Sequence, residues 1–120
     1  MAKRAISVQL QPDLNDLLRE ALFEQTIELN ICVSQMDARC AMLKENYCLV
    51  VIDTSKLEPE IAREHIRNFR LNTYAPIISI NALEATSQIL DAGADISFQD
   101  SVPLDIVISH AMALLRRYTL

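Results

Sequence analysis

The sequence predicts an α/β protein in which strands and helices alternate around a parallel sheet. Three observations point there. Cys48-Leu49-Val50-Val51-Ile52 and Pro76-Ile77-Ile78-Ser79-Ile80 are short, continuous apolar runs, the pattern of strands covered on both faces. Helical stripes with 3.6-residue spacing lie between such runs. The punctuating residues fall at the joints: Pro12 and Pro59 where helices would open, and Gly93 where one would close.

Taken in order, Ala5-Ile6-Ser7-Val8-Gln9-Leu10 alternates like a strand. Pro12 then opens a helix whose stripe is Leu14, Leu17, Leu18, Ala21 and Leu22. A short strand is expected around 27–33. A second helix is expected over about 35–45, with Met36, Cys40 and Leu43 on one face. The run 48–52 is a central strand ending at Asp53. Pro59 starts a third helix carrying Ala62, Ile66 and Phe69, and the run 76–80 is the next strand. A fourth helix spans about 83–92, with Ala85, Ile89 and Ala92 on one side and Leu83, Thr86 and Leu90 on the other. It stops at Gly93, the chain's one glycine, because a left-handed residue just past a helix end costs glycine nothing sterically. A strand over about 95–98 and a helix over about 103–118 complete five βα units. The last helix has a core stripe of Leu104, Val107, Ile108, Ala111 and Leu115, and a second flank of Ile106, His110, Ala113 and Arg117.

At 120 residues the chain is the size of one domain, and with 51% hydrophobic residues it can bury a core. No apolar run approaches the roughly 18 residues of a membrane span, and the basic start Met1-Ala2-Lys3-Arg4-Ala5 lacks the apolar stretch of a secretory signal. A formal net charge of −5 argues against nucleic-acid binding by this chain alone. One glycine excludes the glycine-rich phosphate loops. Cys32, Cys40 and Cys48 have neither an even count nor CxxC spacing. They read as small buried hydrophobes in a reducing, cytoplasmic setting. In open α/β sheets, chemistry gathers at the carboxyl ends of the strands. The candidate site residues are therefore Gln9, Leu10, Asp53, Asn81 and Asp100.

Leu49-Val50-Val51-Ile52-Asp53, Ala75-Pro76-Ile77-Ile78, Asn81-Ala82-Leu83, Asp91-Ala92-Gly93-Ala94-Asp95 and Ala113-Leu114-Leu115-Arg116-Arg117 occur in an order and spacing that resembles the receiver domain of bacterial response regulators along the whole chain. The resemblance implies a doubly wound, flavodoxin-like (βα)5 fold with five parallel strands in the order 2-1-3-4-5. It also implies a phosphoacceptor aspartate at Asp53, fed by a sensor kinase. The surrounding pocket departs from the family. The two acids expected to hold Mg²⁺ are Gln9 and Leu10. The expected Thr or Ser is Asn81, although the small residue after it survives as Ala82. The expected Lys-Pro is Asp100-Ser101, the aromatic switch position is Ser97, and the loop Thr54-Ser55-Lys56-Leu57 has no glycine.

These departures act in one direction. Phosphoryl transfer to a carboxylate depends on neutralising crowded oxygens, and Mg²⁺ requires oxygen ligands. An anion at Asp100 would repel a phosphoryl oxygen about 4 Å away by about 4 kcal/mol at an effective dielectric near 20. Mg²⁺ binding is therefore expected to be lost or weak, and no other cofactor or metal is expected. Asp53 reads either as a strand-end carboxylate, with Lys56 as a possible counter-ion, or as a live phosphoacceptor.

Resemblance to the winged-helix transcription-factor branch implies a two-fold homodimer through the fourth helix, fifth strand and fifth helix. Leu90, Asp95 and Arg117 match that interface. Thr86, Ile96, Ile106 and His110 stand where charges are usual, so the dimer should depend less on salt. His110 is either a solvated helix residue or a pH sensor. Residues 1–120 read as one receiver-like domain taken from a longer regulator. Its output domain, or a partner protein, would do the work, with DNA reached only through that domain. The leading reading is an atypical receiver that dimerises and regulates without phosphorylation. A weakly phosphorylatable receiver using Asp53 is the alternative. An enzyme is the weakest reading, because His65 and His110 sit inside helices and pair with no nucleophile.

Overall fold

The computed structural model describes residues 3–83, 86–99 and 102–118. The elements run β1 (Lys3–Val8), α1 (Pro12–Phe23), β2 (Ile27–Cys32), α2 (Gln35–Lys44), β3 (Leu49–Asp53), α3 (Pro59–Asn72), β4 (Ile77–Ala82), α4 (Thr86–Ala92), β5 (Ile96–Gln99) and α5 (Leu104–Tyr118). The strands form one sheet in the order β2-β1-β3-β4-β5, and every pairing is parallel.

Strand alternation sends successive side chains to opposite faces, and the core divides accordingly. Ile6, Val8, Val50 and Ile52 pack with Ala38 and Met42 of α2, Ile66 and Phe69 of α3, and Ile89 and Ala92 of α4. Ala5, Leu49, Val51 and Ile78 pack with Leu14, Leu18 and Leu22 of α1 and with Val107 and Ala111 of α5. Asp53 shares the parity of Leu49 and Val51. It therefore lies at the strand end on the α1/α5 side, which sets the position of the candidate site.

The stripes of α1, α3 and α4 are buried largely as their spacing predicts, and Leu90 points outward. In α1, however, Leu17 is partly exposed. α2 reverses the expectation: Ala38 and Met42 are buried, whereas Met36 is 62% and Leu43 74% exposed and Cys40 is also exposed. The face that meets β1 and β2 carries the smaller Ala38, so apolar content alone marks the wrong side. Cys32 is buried and Cys48 half-buried, so burial of the cysteines holds fully for Cys32 only. In α5, Val107, Ala111 and Leu115 are buried as the stripe predicts, Leu104 at its start is exposed, and Leu114, outside the expected stripe, is buried as well. Ala85, at the predicted start of the fourth helix, lies outside the described residues, and α4 is assigned from Thr86.

Gly93 has φ +130°. A Cβ there would lie 2.9 Å from Cβ of Arg70. Arg70 ties this corner together, donating from Nε to the Gly93 carbonyl (3.0 Å), from Nη1 to the Ala75 carbonyl (3.1 Å) and from Nη2 to Asp95 Oδ2 (2.7 Å). The same Asp95 oxygen accepts the Ile77 amide at 2.7 Å.

His65 on α3 holds Nδ1 buried without a hydrogen-bond partner among the described residues. Burial holds its pKa below the ordinary 6.5, nearby Arg39 adds to the lowering, and Glu64 opposes it. Between that depressed value and 6.5 the unfolded chain binds more protons than the folded one. Stability therefore falls as pH drops below about 6.5. His65→Gln is expected to flatten the fall in melting temperature between about pH 7 and pH 5. Parallel thermal scans of the two proteins check this, and identical slopes would contradict it.

Candidate functional site

Asp53 closes β3 and is only 2% exposed. Its Oδ1 accepts the Ser55 amide at 2.8 Å, an Asx-type turn, and its Oδ2 accepts Nδ2 of Asn81 at 3.0 Å. Asn81 reaches it through a local irregularity. The β4–β5 register shifts between Ser79 and Ala82, and Asn81 adopts φ +56°, a left-handed conformation that asparagine tolerates better than most residues. The next residue, Thr54, is buried, its hydroxyl 3.4 Å from those of Ser79 and from the Ile80 carbonyl. Lys56 is exposed. Among the described residues the hydrogen bonds to Asp53 come from Ser55 and Asn81 rather than from the lysine that sequence offered as a counter-ion.

Gln9 and Leu10 follow β1. Gln9 takes φ +62° and its Oε1 is buried without a hydrogen-bond partner among the described residues. Leu10 is 8% exposed and belongs to the apolar cluster of Leu14, Leu18, Ile80 and Val107. A cavity of about 260 Å³ opens beside Asp53 and Asn81, walled by α1, β5 and the start of α5. Neither Gln9, Leu10 nor either histidine is among its lining residues. Asp100 and Ser101 lie outside the described residues.

Sequence reasoning missed Gln11, Asp13 and Phe98, all of which line this cavity. An acid in the first turn of a helix that opens above the strand ends is the signal that would have found Asp13. Phe98 stands one residue past Ser97, the expected aromatic position, and its ring meets His110 edge-on, with centroids 5.2 Å apart and planes at 71°. Ser97 is half-buried with its hydroxyl unpartnered among the described residues.

This donor set does not fit Mg²⁺. Leu10 offers no oxygen, so Asp53 is left without a second carboxylate at the end of β1, and Asp13 stands exposed in the first turn of α1. Among the described residues there is no group of three or more His, Cys, Asp or Glu arranged to hold a metal ion.

The second candidate region spans α4, β5 and α5. Leu90 is 40% and Ile106 41% exposed, His110 and Arg117 are exposed, and Thr86, Ile96 and Ala113 are half-buried. Asp95, matched by resemblance to an intermolecular ring, already serves Arg70 and Ile77 within the chain. Among the described residues, no helix is long and apolar enough to cross a membrane.

No protein-family model matches the chain, and no curated protein sequence does. Solved structures do. A two-component response regulator from Clostridium difficile superposes with a TM-score of 0.79 at 19% identity, covering 98% of this chain and 99% of that one. The receiver domain of the TMAO respiratory system response regulator TorR gives 0.79 at 18% identity over 96% and 98%. The receiver domain of the Francisella response regulator 1452 gives 0.76 at 19% over 98% and 99%. Strand order, parallel pairing and the helices on both faces agree with this likeness: the chain has the fold of response-regulator receiver domains.

Proposed function

We propose that this chain is a receiver-type regulatory module that self-associates through α4, β5 and α5 without phosphorylation, and controls an attached output domain or a partner protein. The carrying observation is Leu10. The position at which a receiver would offer a metal-binding acid is part of the hydrophobic core. Without that acid, the end of β1 lacks the carboxylate that would hold a divalent ion to neutralise an incoming phosphoryl group. The hydrogen bonds already made to Asp53 support the same reading, since a phosphoryl group on Oδ2 would displace the Asn81 amide.

Self-association is supported by the apolar side chains that α4 and α5 present to solvent. Leu90 and Ile106 are large and exposed, and a two-fold contact would place each patch against its own copy. The patch carries few charges, so its association should weaken little as salt rises. DNA, in this reading, is reached only through an output domain.

Incubation with acetyl phosphate and Mg²⁺, followed by intact-mass measurement, tests the chemistry. The expected result is no phosphoryl adduct. An adduct that disappears in Asp53→Asn would instead establish a weakly phosphorylatable receiver.

A further inference from the structure

The cavity beside Asp53 has no part in a phosphorylation-independent mechanism, yet its lining selects one ligand chemistry. One wall is hydrocarbon, from Leu14, Ile80, Phe98 and Val107. The charged side chains that line it are Asp13 and Asp53, both acidic, and no Lys, Arg or His joins them among the described residues. Asp53 is almost wholly buried. A carboxylate offers about four lone-pair sites, and the donors from Ser55 and Asn81 use two of them. The remainder is unused acceptor capacity on a residue that lines the cavity.

Each alternative occupant meets a cost. An anion is repelled by two carboxylates. A neutral hydrocarbon leaves a buried carboxylate without a counter-charge. A bare divalent ion faces carbon on the side of Leu14 and Ile80. A small organic cation satisfies both halves, with N–H groups making charge-assisted hydrogen bonds to Asp53 and an apolar body against the hydrocarbon wall. Its positive end also gains from the π-face of Phe98 where it lies over the ring. The volume of about 260 Å³ falls just under the usual range of ligand pockets, roughly 300–1,000 Å³, and suits a fragment-sized molecule.

We propose that this cleft is a binding site for a small organic ammonium or amidinium ion with a compact apolar body, held by Asp53 and attracted also by the carboxylate of Asp13. The proposal rests on the reading of Asp53 as an unphosphorylated carboxylate.

The test is a titration of the isotope-labelled full chain, followed by amide resonances, with benzylamine, phenethylamine and benzamidine. Neutral 2-phenylethanol and anionic phenylacetate serve as matched controls. At least one cation should give saturable shifts centred on Asp53, Asn81 and Phe98, with an affinity of about millimolar or better. 2-Phenylethanol should bind at least about tenfold more weakly, and phenylacetate should not bind. Asp53→Asn should lose about tenfold in affinity. Asp13→Asn, a substitution at an exposed position, should lose about two- to threefold and keeps the test valid should the buried variant misfold. Failure of all three cations below about 10 mM, or equal binding of 2-phenylethanol, overturns the proposal. A separate arm with Mg²⁺ and BeF₃⁻ reads the reading beneath it: shifts there would refute phosphorylation independence, while the comparison of amine with alcohol judges the cation site on its own.

Discussion

Gly93→Ala is expected to destabilise the fold by about 3 kcal/mol, shifting the melting temperature by about 10 °C. Two costs combine. At φ +130° an alanine enters backbone territory that L side chains rarely adopt. Its methyl would also lie 2.9 Å from Cβ and 3.1 Å from Cγ of Arg70. These are the atoms at the base of the arginine rather than its flexible end, so relief requires α3 to shift relative to the α4–β5 corner. That shift strains the contacts from Arg70 to the Gly93 and Ala75 carbonyls and to Asp95. Arg70→Lys should cost less but should not be neutral, because one ammonium cannot reproduce a planar fork that serves four acceptors, the carbonyls of Gly93, Thr73 and Ala75 and the Asp95 carboxylate. Urea unfolding of the variants decides the matter. A cost below about 0.5 kcal/mol for Gly93→Ala would show that the corner is looser than these distances imply.

Leu90→Arg is expected to weaken self-association at least about thirtyfold, or about 2 kcal/mol, the scale of an interface hot spot. The side chain is partly exposed on α4, so the change should leave folding intact while placing a like charge against its copy across the two-fold. Ile106→Asp on α5 should act in the same direction. The informative control is Leu43→Arg on the outer face of α2, where leucine is 74% exposed. If exposed apolar side chains associated indiscriminately, it would weaken the dimer equally; the proposed interface expects no change. Sedimentation velocity across a concentration series checks all three variants.

Much of the architecture was legible because it follows from local rules. The runs ending at Asp53 and around Ile78 mark central strands, since only a strand covered on both faces is apolar throughout. Pro12 and Pro59 each stand at the first position of their helices, as their missing N–H groups favour. Gly93 sits beyond α4 with positive φ for the reason that glycines end helices. The outward direction of Leu90 followed from the resemblance to receivers, because α4, apolar on two sides, does not by itself say which side meets the sheet.

What was not legible depends on distant partners or on backbone geometry. The stripe Met36, Cys40 and Leu43 has the right spacing for a core face, but the sheet takes Ala38 and Met42 instead. Periodicity locates a stripe without saying which side meets the sheet. Asp95 was read as an intermolecular group because nothing local reveals Arg70, 25 residues earlier. The hydrogen bond from Asn81 to Asp53 depends on a left-handed turn and a register shift that composition does not encode. Around the cavity, the strand reading placed Asp53 at the end of β3, where it stands, whereas the apolar wall from α1, β5 and α5 emerged only when those elements were brought together.

The most direct test of the central claim is sedimentation equilibrium of the chain with and without Mg²⁺ and BeF₃⁻. A dimer is expected at micromolar concentration, with the same association constant in both conditions. A monomer that dimerises only when Mg²⁺ and BeF₃⁻ are present would contradict it, and would return Asp53 to the role of phosphoacceptor.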